Sequence, residues 1–375
     1  MFRRKLTELF FCLLTFTELW AITRDAHSFL LSYPGQEKPI NCFRIEKGFL
    51  LFVQQVDINQ TLALELDEDF KVREISAFDQ FSFTQLNCIV RTDEGHFILI
   101  GYKILQRQAK IMIVVLDDQL NLIGERILPV SGADQWAECV AALQNGFLLV
   151  GGHRSVKSNW YEALAIKLER NLEIVWTKTF GGSSDEWLST LCQFDSGYLC
   201  VGSTESYGSG QADFLIVLFS ENGRIVWWKV AGGRGWERAV GTVRAQDGVL
   251  IVGSSNSFTV YESIFLMRID FQGHKVYQKS IDLGSSFLVK GILSLDDGQL
   301  FAIYGEIWNK EFRKDLAYVI INSLGEVLEK QVIQLPNDQG FCKILPLSEK
   351  RFLIVADSEN SATSKDILLI LTDWQ

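Results

Sequence analysis

Short apolar runs separated by polar turn residues recur along the whole chain. Residues 179–229 hold four such runs, each of four to seven residues rich in Val, Ile, Leu, Phe and Trp. Runs of this length bounded by Gly, Asn, Asp and Ser predict β-strands. No long stretch follows the 3.6-residue period of an amphipathic helix, which indicates an all-β chain. The four runs of one unit are named A, B, C and D.

This unit repeats at a nearly constant interval. The residues that close the turn between runs A and B follow one another at spacings of 47 to 52 residues: Gly48, Gly95, Gly146, Gly197, Gly248, Gly298 and Lys350. Asp-Gly and Asn-Gly turns tolerate positive φ, so runs A and B are expected to form antiparallel hairpins. Seven units of about 50 residues, each with four strands, predict a seven-bladed β-propeller. The predicted units are residues 27–73, 74–126, 127–178, 179–229, 230–279, 280–330 and 331–375.

The two ends of the sequence predict how the ring closes. The last unit reaches run C at residues 366–373 and has no run D, whereas an orphan apolar run at residues 28–33 precedes the first unit. We expect the N-terminal run to supply the fourth strand of the last blade, because closure protects sheet edges from pairing with other chains. Residues 22–375 are accordingly expected to form a single propeller domain.

The first residues predict export. Three basic residues at positions 3–5 precede a mostly apolar stretch at residues 9–20, and Ala21 offers a small residue for cleavage. Residues 1–21 are interpreted as a signal peptide, with a short N-terminal helix as the alternative. The expected location is secreted or periplasmic. Elsewhere no segment reaches about 18 unbroken apolar residues, so no transmembrane span is expected.

The charge balance narrows the range of partners. The formal net charge is −10, from 36 basic and 46 acidic residues, and the basic residues form no cluster. An acidic chain of this kind argues against nucleic acid and anionic membranes as partners. We expect a monomer that binds a protein or a carbohydrate ligand.

The cysteines lie mainly in the predicted inner strands. Run A carries small residues at what we interpret as one position of six successive units: Cys42, Cys88, Cys139, Thr190, Gly241 and Gly291. Cysteine behaves as a small buried apolar residue, so the six cysteines after residue 21 are expected to be mostly free and buried. A disulfide between Cys192 and Cys200 across their hairpin is the open alternative. A thiolate metal site is disfavoured, since no histidine joins the register and the spacing matches no zinc motif.

Motifs that carry catalysis are missing from the sequence. It contains no H-E-x-x-H, no G-x-S-x-G and no P-loop, so neither a metal nor a cofactor is expected. A binding or scaffold role is therefore the first hypothesis, and catalysis is not required by any feature of the chain. A hydrolase or lyase acting on polysaccharide is the alternative, and it would need carboxylates from several blades to converge in the central funnel.

The predicted blade has two unlike ends. The tight A–B and C–D hairpins lie at one end, and the longer B–C and D–A connections lie at the other. Aromatic residues on the longer connections suit a sugar ring or a protein hot spot. The candidate ligand-binding residues are Trp136, His153, Trp160, Trp187, Tyr207, Trp236, Tyr261 and Trp308. Three of them are interpreted as one register position of successive blades, with packing between blades as the alternative role: Trp136, Trp187 and Trp236.

Residues 127–279 also resemble a known kind of repeat. They contain G-G-S-S-D-E from Gly181, D-S-G-Y-L-C-V-G-S-T from Asp195 and G-R-I-V-W-W-K from Gly223. These segments resemble the units of secreted bacterial and archaeal β-propeller repeat proteins, which read G-G-S-x-D, D-G-G-Y-x-x-x-G-x-T and D-x-x-G-x-x-x-W-x-K. The resemblance implies an extracytoplasmic propeller of mostly unassigned role, and it implies no catalytic residues.

Overall fold

The chain folds into seven four-stranded antiparallel blades, which confirms the predicted seven-bladed β-propeller. The structure, a computed structural model, describes residues 19–20, 27–31, 36–130, 134–154, 159–194, 196–348, 350–361 and 364–374. The expected signal peptide at residues 1–21 lies outside the described residues, apart from Leu19–Trp20. One 3-10 turn, Val56–Ile58, interrupts the strand pattern in blade 1.

The strands follow the order A, B, C, D within each of the first six blades. Blade 1 contains Glu37–Ile45, Gly48–Gln55, Gln60–Leu66 and Val72–Phe78, and blade 2 contains Gln85–Arg91, Phe97–Leu105, Gln108–Leu116 and Leu122–Ile127. Blade 3 contains Gln135–Leu143, Gly146–Arg154, Tyr161–Leu168 and Ile174–Phe180, and blade 4 contains Glu186–Phe194, Gly197–Thr204, Asp213–Phe219 and Ile225–Ala231. Blade 5 contains Glu237–Ala245, Gly248–Ser255, Ser263–Asp270 and Lys275–Ile281, and blade 6 contains Phe287–Ser294, Leu300–Trp308, Lys314–Asn322 and Val327–Ile333.

Blade 7 combines strands from the two ends of the sequence, as predicted. Strands A to C are Gln339–Pro346, Arg351–Ser361 and Ser364–Asp373, and strand D is His27–Leu31. Strand D runs antiparallel to strand C with Leu31 opposite Ile367. Leu19–Trp20 adds a two-residue fifth strand outside it. The N-terminal run therefore supplies the missing strand of the last blade.

The described chain divides into two compact units. One consists of residues 1–85 and 300–375, and the other of residues 86–299. The second unit holds strand A of blade 6 and nearly all of blades 2 to 5, including most of the predicted ligand-binding residues. Whether residues 22–375 behave as a single domain in solution stays a prediction.

Strands B and C explain the unbroken apolar runs of the sequence. In blade 4, every residue of Gly197–Thr204 and of Asp213–Phe219 is buried. A strand covered on both faces reads as a continuous apolar run, because neither face meets water. Neighbouring blades share each core, and Leu148 of blade 3 packs in one cluster with Leu215 of blade 4.

The turn-closing glycines that carry the repeat have a steric reason. Gly197 has φ of +146°, a conformation that residues with a Cβ rarely adopt. A Cβ placed there would lie 2.0 Å from the carbonyl oxygen of Phe219, the last residue of strand C. Close approach of the A–B hairpin to strand C thus requires glycine in the same place in successive blades.

Both the first and the last strand of a blade contain a bulge at a fixed position. In the outer strand D, one extra residue interrupts the ladder next to the C–D turn in six blades, and it is solvent-exposed in each: Arg73, Ile123, Val175, Val226, Val276 and Leu328. A bulge twists an edge strand away from straight pairing. The outer edges are therefore protected from pairing with other chains although they carry apolar side chains.

The bulges in strand A correct the predicted register of the cysteines. Directly after the bulge stand Cys139, Thr190 and Gly241 in blades 3 to 5, as expected. In blade 1 that position belongs to Asn41, and Cys42 follows it by one residue. The predicted equivalence of Cys42 was wrong by one residue, because Asn41 is the residue that pairs with strand B at the place that Cys139 occupies in blade 3.

None of the six described cysteines forms a disulfide, which confirms the expectation that they are free. Cys42 and Cys200 are fully buried, whereas the other four are partly buried. Burial raises the pKa of Cys42 to about 12 and that of Cys192 to about 11. Cys192 lies opposite Leu199 rather than Cys200, so the hairpin disulfide is not formed.

We expect thiol titration to reveal these two properties separately. In denaturant without reductant, all six cysteines should react with Ellman's reagent. In the folded protein at pH 8 the reaction should be at least about tenfold slower, because buried thiols with raised pKa contain little thiolate. Recovery of four thiols or fewer in denaturant, rising to six after reduction, would instead reveal disulfides.

Candidate functional site

Connections at the loop end of blades 3 to 5 are held by buried carboxylates. Glu186 begins strand A of blade 4 and is fully buried. Its carboxylate accepts hydrogen bonds from the backbone N–H of Gly182 (2.8 Å), the hydroxyl of Thr204 (2.9 Å) and the backbone N–H of Ser206 (3.1 Å). One side chain thus fixes the D–A turn before it and the B–C loop that follows Thr204.

The same arrangement recurs in blade 5. Fully buried Glu237 accepts hydrogen bonds from the backbone N–H of Gly233 and the hydroxyl of Ser255, both at 2.7 Å. Beside it, a Cβ on Gly232 would lie 1.9 Å from Asp213 and 2.1 Å from Glu237 oxygens. Glycine at position 232 is therefore required by close packing against two carboxylates. Burial raises the pKa of Asp213, and the neighbouring Glu237 adds to the effect.

The acidic residues beside the candidate aromatic residues make structural contacts. Asp185, Glu186 and Glu237 all serve the fold. The carboxylate of Asp185 accepts a hydrogen bond from the backbone N–H of Tyr161, the first residue of strand C in blade 3 (2.8 Å). The sequence contained a pattern that could have indicated this structural role, because Gly182 and Gly233 each precede a glutamate by four residues.

The three tryptophans predicted to share one register do not all do so. Trp136 and Trp187 lie in strand A opposite Gly152 and Ser203, and the residue in the same place in blade 5 is Arg238. Trp236 precedes its strand, and the Arg238 guanidinium lies 5.2 Å from its ring centroid. All three tryptophans are half-buried.

Two further predicted residues are buried or half-buried and lie against other residues of the blades. His153 is 6% exposed and lies opposite Gln135, at the place where blades 4 and 5 pair Thr204 with Glu186 and Ser255 with Glu237. Tyr207 is half-buried, donates its hydroxyl to the carbonyl of Gly181 (3.0 Å), and contacts the rings of Phe180 and Trp228.

The remaining three predicted residues are exposed. Trp160 is 46% exposed, Tyr261 47% and Trp308 37%. The loop that contains Tyr261 presents two more apolar side chains, Phe258 and Val260, of which Val260 is 91% exposed. The sequence named the aromatic residues of this loop but missed Val260, since a lone valine in a polar loop carries no distinguishing pattern.

A feature that the sequence did not indicate lies at the opposite, hairpin end. Lys167 of blade 3 donates hydrogen bonds to the Tyr198 hydroxyl (2.9 Å) and the Glu221 carboxylate (2.8 Å) of blade 4. Burial, together with the bond to Glu221, raises the pKa of Tyr198, and the bonds to Lys167 and Tyr198 lower the pKa of Glu221. Tyrosine stays protonated in this setting, so the group braces two blades and supplies no activated base.

The described residues contain neither a metal site nor a membrane-spanning helix. No group of three or more His, Cys, Asp or Glu side chains in these ranges is placed to hold a metal ion. In the same part of the chain, no helix combines the length and apolar character needed to cross a bilayer.

Comparison with known proteins supports the fold. No protein-family model matches the sequence, and no curated protein matches it. Sqt1 from Chaetomium thermophilum has a similar structure, with a TM-score of 0.55 and 10% identity over 87% of this chain and 80% of that chain. BBS1N, in complex with ARL6DN, has a TM-score of 0.51 and 10% identity over 92% and 93% of the two chains.

A mutant of puromycin hydrolase complexed with PGG is similar as well. Its TM-score is 0.55 and its identity 12%, over 90% of this chain and 52% of that chain, so the present chain spans about half of its length. At identities this low, the likeness establishes the β-propeller fold alone. The class of protein defined by fold and comparisons is thus a seven-bladed β-propeller whose structural neighbours differ in function.

Proposed function

We propose that the chain is an extracytoplasmic binding module that recognises a partner protein through the loop end of its blades. The observation that carries this proposal is the exposed apolar tip formed by Phe258, Val260 and Tyr261 in blade 5. Exposed apolar side chains that are adjacent and held in place mark interaction sites, whereas single scattered ones carry no such meaning.

The tip is rigidly supported. The ring of Phe258 stacks on Phe265 of strand C with centroids 5.3 Å apart and an interplanar angle of 12°. The hydroxyl of Thr259 donates to the carbonyl of Tyr261 (2.5 Å), which closes the loop beneath Val260. A braced loop loses little conformational entropy on binding, so more of the contact energy appears as affinity.

The surroundings of the tip favour a protein over other ligands. Exposed Arg234 and Arg238 lie on the adjacent D–A connection and its strand, so an apolar centre has a polar, basic rim. Aromatic residues and arginine are enriched in protein interfaces and their hot spots. The fold similarity to BBS1N, which was solved with ARL6DN, supports the proposal only in showing that such a propeller can hold a protein partner.

Export of the protein is part of the proposal. It rests on the basic and apolar pattern of residues 1–21 and on the resemblance to secreted repeat proteins. Expression of the full chain and of a chain lacking residues 1–21 in a bacterial host, followed by fractionation, tests it. Export should depend on those residues, and equal cytoplasmic retention of both chains would contradict it.

The alternative, a hydrolase or lyase acting on polysaccharide, is favoured by no observation at this end of the blades. Glu186 and Glu237, which begin the inner strands of blades 4 and 5, accept hydrogen bonds from turns and neighbouring hydroxyls. A general acid or nucleophile must instead reach the substrate. These two glutamates are fully buried and already engaged.

Substitution of the tip should abolish partner binding without loss of stability. We expect Val260→Asp combined with Tyr261→Ser to weaken binding at least about tenfold, because a charge replaces the apolar centre of the contact. The measurement is quantitative affinity capture from the extracellular fraction of the source cells, followed by titration of each captured protein. Unfolding in urea should be unchanged, since both side chains are exposed.

Val276→Asp is the matched control. Val276 is an exposed valine of the same blade, located on the outer strand away from the loop end. It should retain every partner that the tip variant loses. If the two variants lose the same partners, or if the tip variant loses none, the loop end is not the binding surface.

A further inference from the structure

A groove of about 900 Å³ opens at the hairpin end of blades 2, 3 and 4. It follows the A–B turns of blades 2 and 3 and ends at the C–D turn of blade 4. Its volume lies within the range of small-molecule sites, about 300–1,000 Å³. It is on the face opposite the exposed loop tip of blade 5, and neither the repeat pattern nor the candidate residues of the sequence indicated it.

The floor of the groove is apolar. Val90 of blade 2 and Leu143 of blade 3 line it, and both are half-buried, so part of each side chain faces the groove. Exposed Ile123, the bulge residue of strand D in blade 2, extends this surface outward. A ligand with an apolar face can therefore displace water from the floor with a gain in free energy.

The rim carries charged groups in fixed positions. Arg170 donates to the carboxylate of Glu94 (2.8 Å) and to the carbonyl of Gln144 (2.8 Å), and so joins the turns of blades 2 and 3. At the other end, Lys167 is held by Tyr198 and Glu221. Burial alone would lower the pKa of Lys167, but these bonds raise it above its ordinary value, so the ammonium stays charged.

The charges along the rim cancel. Arg91, Lys167 and Arg170 provide three cations, and Asp93, Glu94 and Glu221 provide three anions. An ionic ligand would lose its hydration and meet like charges as often as opposite ones. A hydroxyl group can accept from an arginine or lysine N–H and donate to a carboxylate at the same time. Charged partners also make the stronger hydrogen bonds.

We infer that this groove binds a neutral oligosaccharide. Such a ligand has an apolar face formed by ring C–H groups, which suits the apolar surface formed by Val90, Leu143 and Ile123. Its hydroxyls match a rim that carries both donors and acceptors, and it has no net charge. The site is independent of the loop end, so the protein would hold a glycan on one face and a protein on the other.

The test uses the full chain and defined probes. Isothermal titration is carried out with maltotetraose, cellotetraose, chitotetraose and mannotetraose, and with trigalacturonate as the charged comparison. At least one neutral tetrasaccharide should bind, and trigalacturonate should bind at least about tenfold more weakly than it. Absence of binding by all four at about 10 mM, a concentration that reveals even the weakest specific site, would overturn the inference. Tighter binding of trigalacturonate than of every neutral tetrasaccharide would overturn it as well.

Arg170→Gln locates the site, and Arg126→Gln is its matched control. Arg126 likewise bonds a glutamate, Glu173 (3.1 Å), and a turn carbonyl, that of Leu172 (2.7 Å), but it does not line the groove. The Arg170 variant should raise the dissociation constant about tenfold and the control less than about twofold. Tyr198→Phe, which keeps the ring packing, should also weaken binding. Equal affinities in all variants would place the glycan elsewhere.

Discussion

Replacement of Glu186 by alanine will lower the free energy of unfolding by about 3 kcal/mol, because it leaves buried hydrogen-bond donors without their acceptor. Two donors lose their acceptor, the N–H of Gly182 and the hydroxyl of Thr204, and the N–H of Ser206 loses one of its two acceptors. Each unsatisfied buried donor costs about 1–3 kcal/mol, and partial entry of water limits the sum. Urea unfolding followed by tryptophan fluorescence measures the change.

Glu205→Ala provides the comparison for this result. Glu205 is exposed and accepts a single hydrogen bond, from the hydroxyl of Ser184 (3.0 Å). Its replacement should change stability by less than about 0.5 kcal/mol. A Glu186 variant as stable as the Glu205 variant would show that the buried carboxylate does not hold the two connections in place.

Deletion of residues 22–35 should cause the protein to aggregate. The deletion removes strand D of blade 7 and leaves strand C, residues 364–373, as an open edge. That edge is apolar, since Leu368, Leu369 and Ile370 are buried in succession, and an exposed apolar edge pairs with other chains. Size-exclusion chromatography with light scattering measures the outcome.

The point variant Leu31→Asp separates pairing from chain length. Leu31 is fully buried and packs with Ile367 and Leu369, so a carboxylate there should cause the same aggregation in a chain of full length. Leu30→Asp is the weaker control, because Leu30 is only half-buried on the same strand. A deletion mutant that stays monomeric and equally stable would refute the role of the N-terminal strand in closure.

The fold was predictable because its signals are local and repeated. Contact with strand C requires glycine at four of the A–B turns: Gly48, Gly146, Gly197 and Gly248. This shared requirement gives the sequence a period of about fifty residues. Closure followed from the same reasoning, since an apolar run without a partner at one end matched a missing strand at the other.

Register was less predictable than architecture. Composition does not reveal how strand A pairs with strand B, and for this reason Cys42 was assigned one residue and Trp236 two residues away from the equivalent places, which Asn41 and Arg238 occupy. The role of Glu186 was missed for a different reason. Its partner Thr204 lies 18 residues away, and only the folded hairpin brings the two together.

The hairpin-end groove could not be found from sequence at all. Glu94 and Arg170 are 76 residues apart, and each has the ordinary appearance of a charged residue in a turn. Their meeting depends on how the turns of adjacent blades lie against each other. Exposure at the loop end was partly predictable, because Trp160 and Tyr261 stand in polar connections. Trp308 and His153 both lie at the end of a strand B, yet Trp308 is exposed and His153 is buried.

The buried glutamates have a consequence for how such a protein can diversify. Glu237 fixes the base of its loop through hydrogen bonds with Gly233 and Ser255, which lie outside the tip residues 258–261. Mutations at the tip therefore change what the surface recognises while the base and the blade keep their stability. New specificities can accumulate in one blade at a time, and an engineer could exchange tips between blades 4 and 5 by cutting after Ser206 and Ser257.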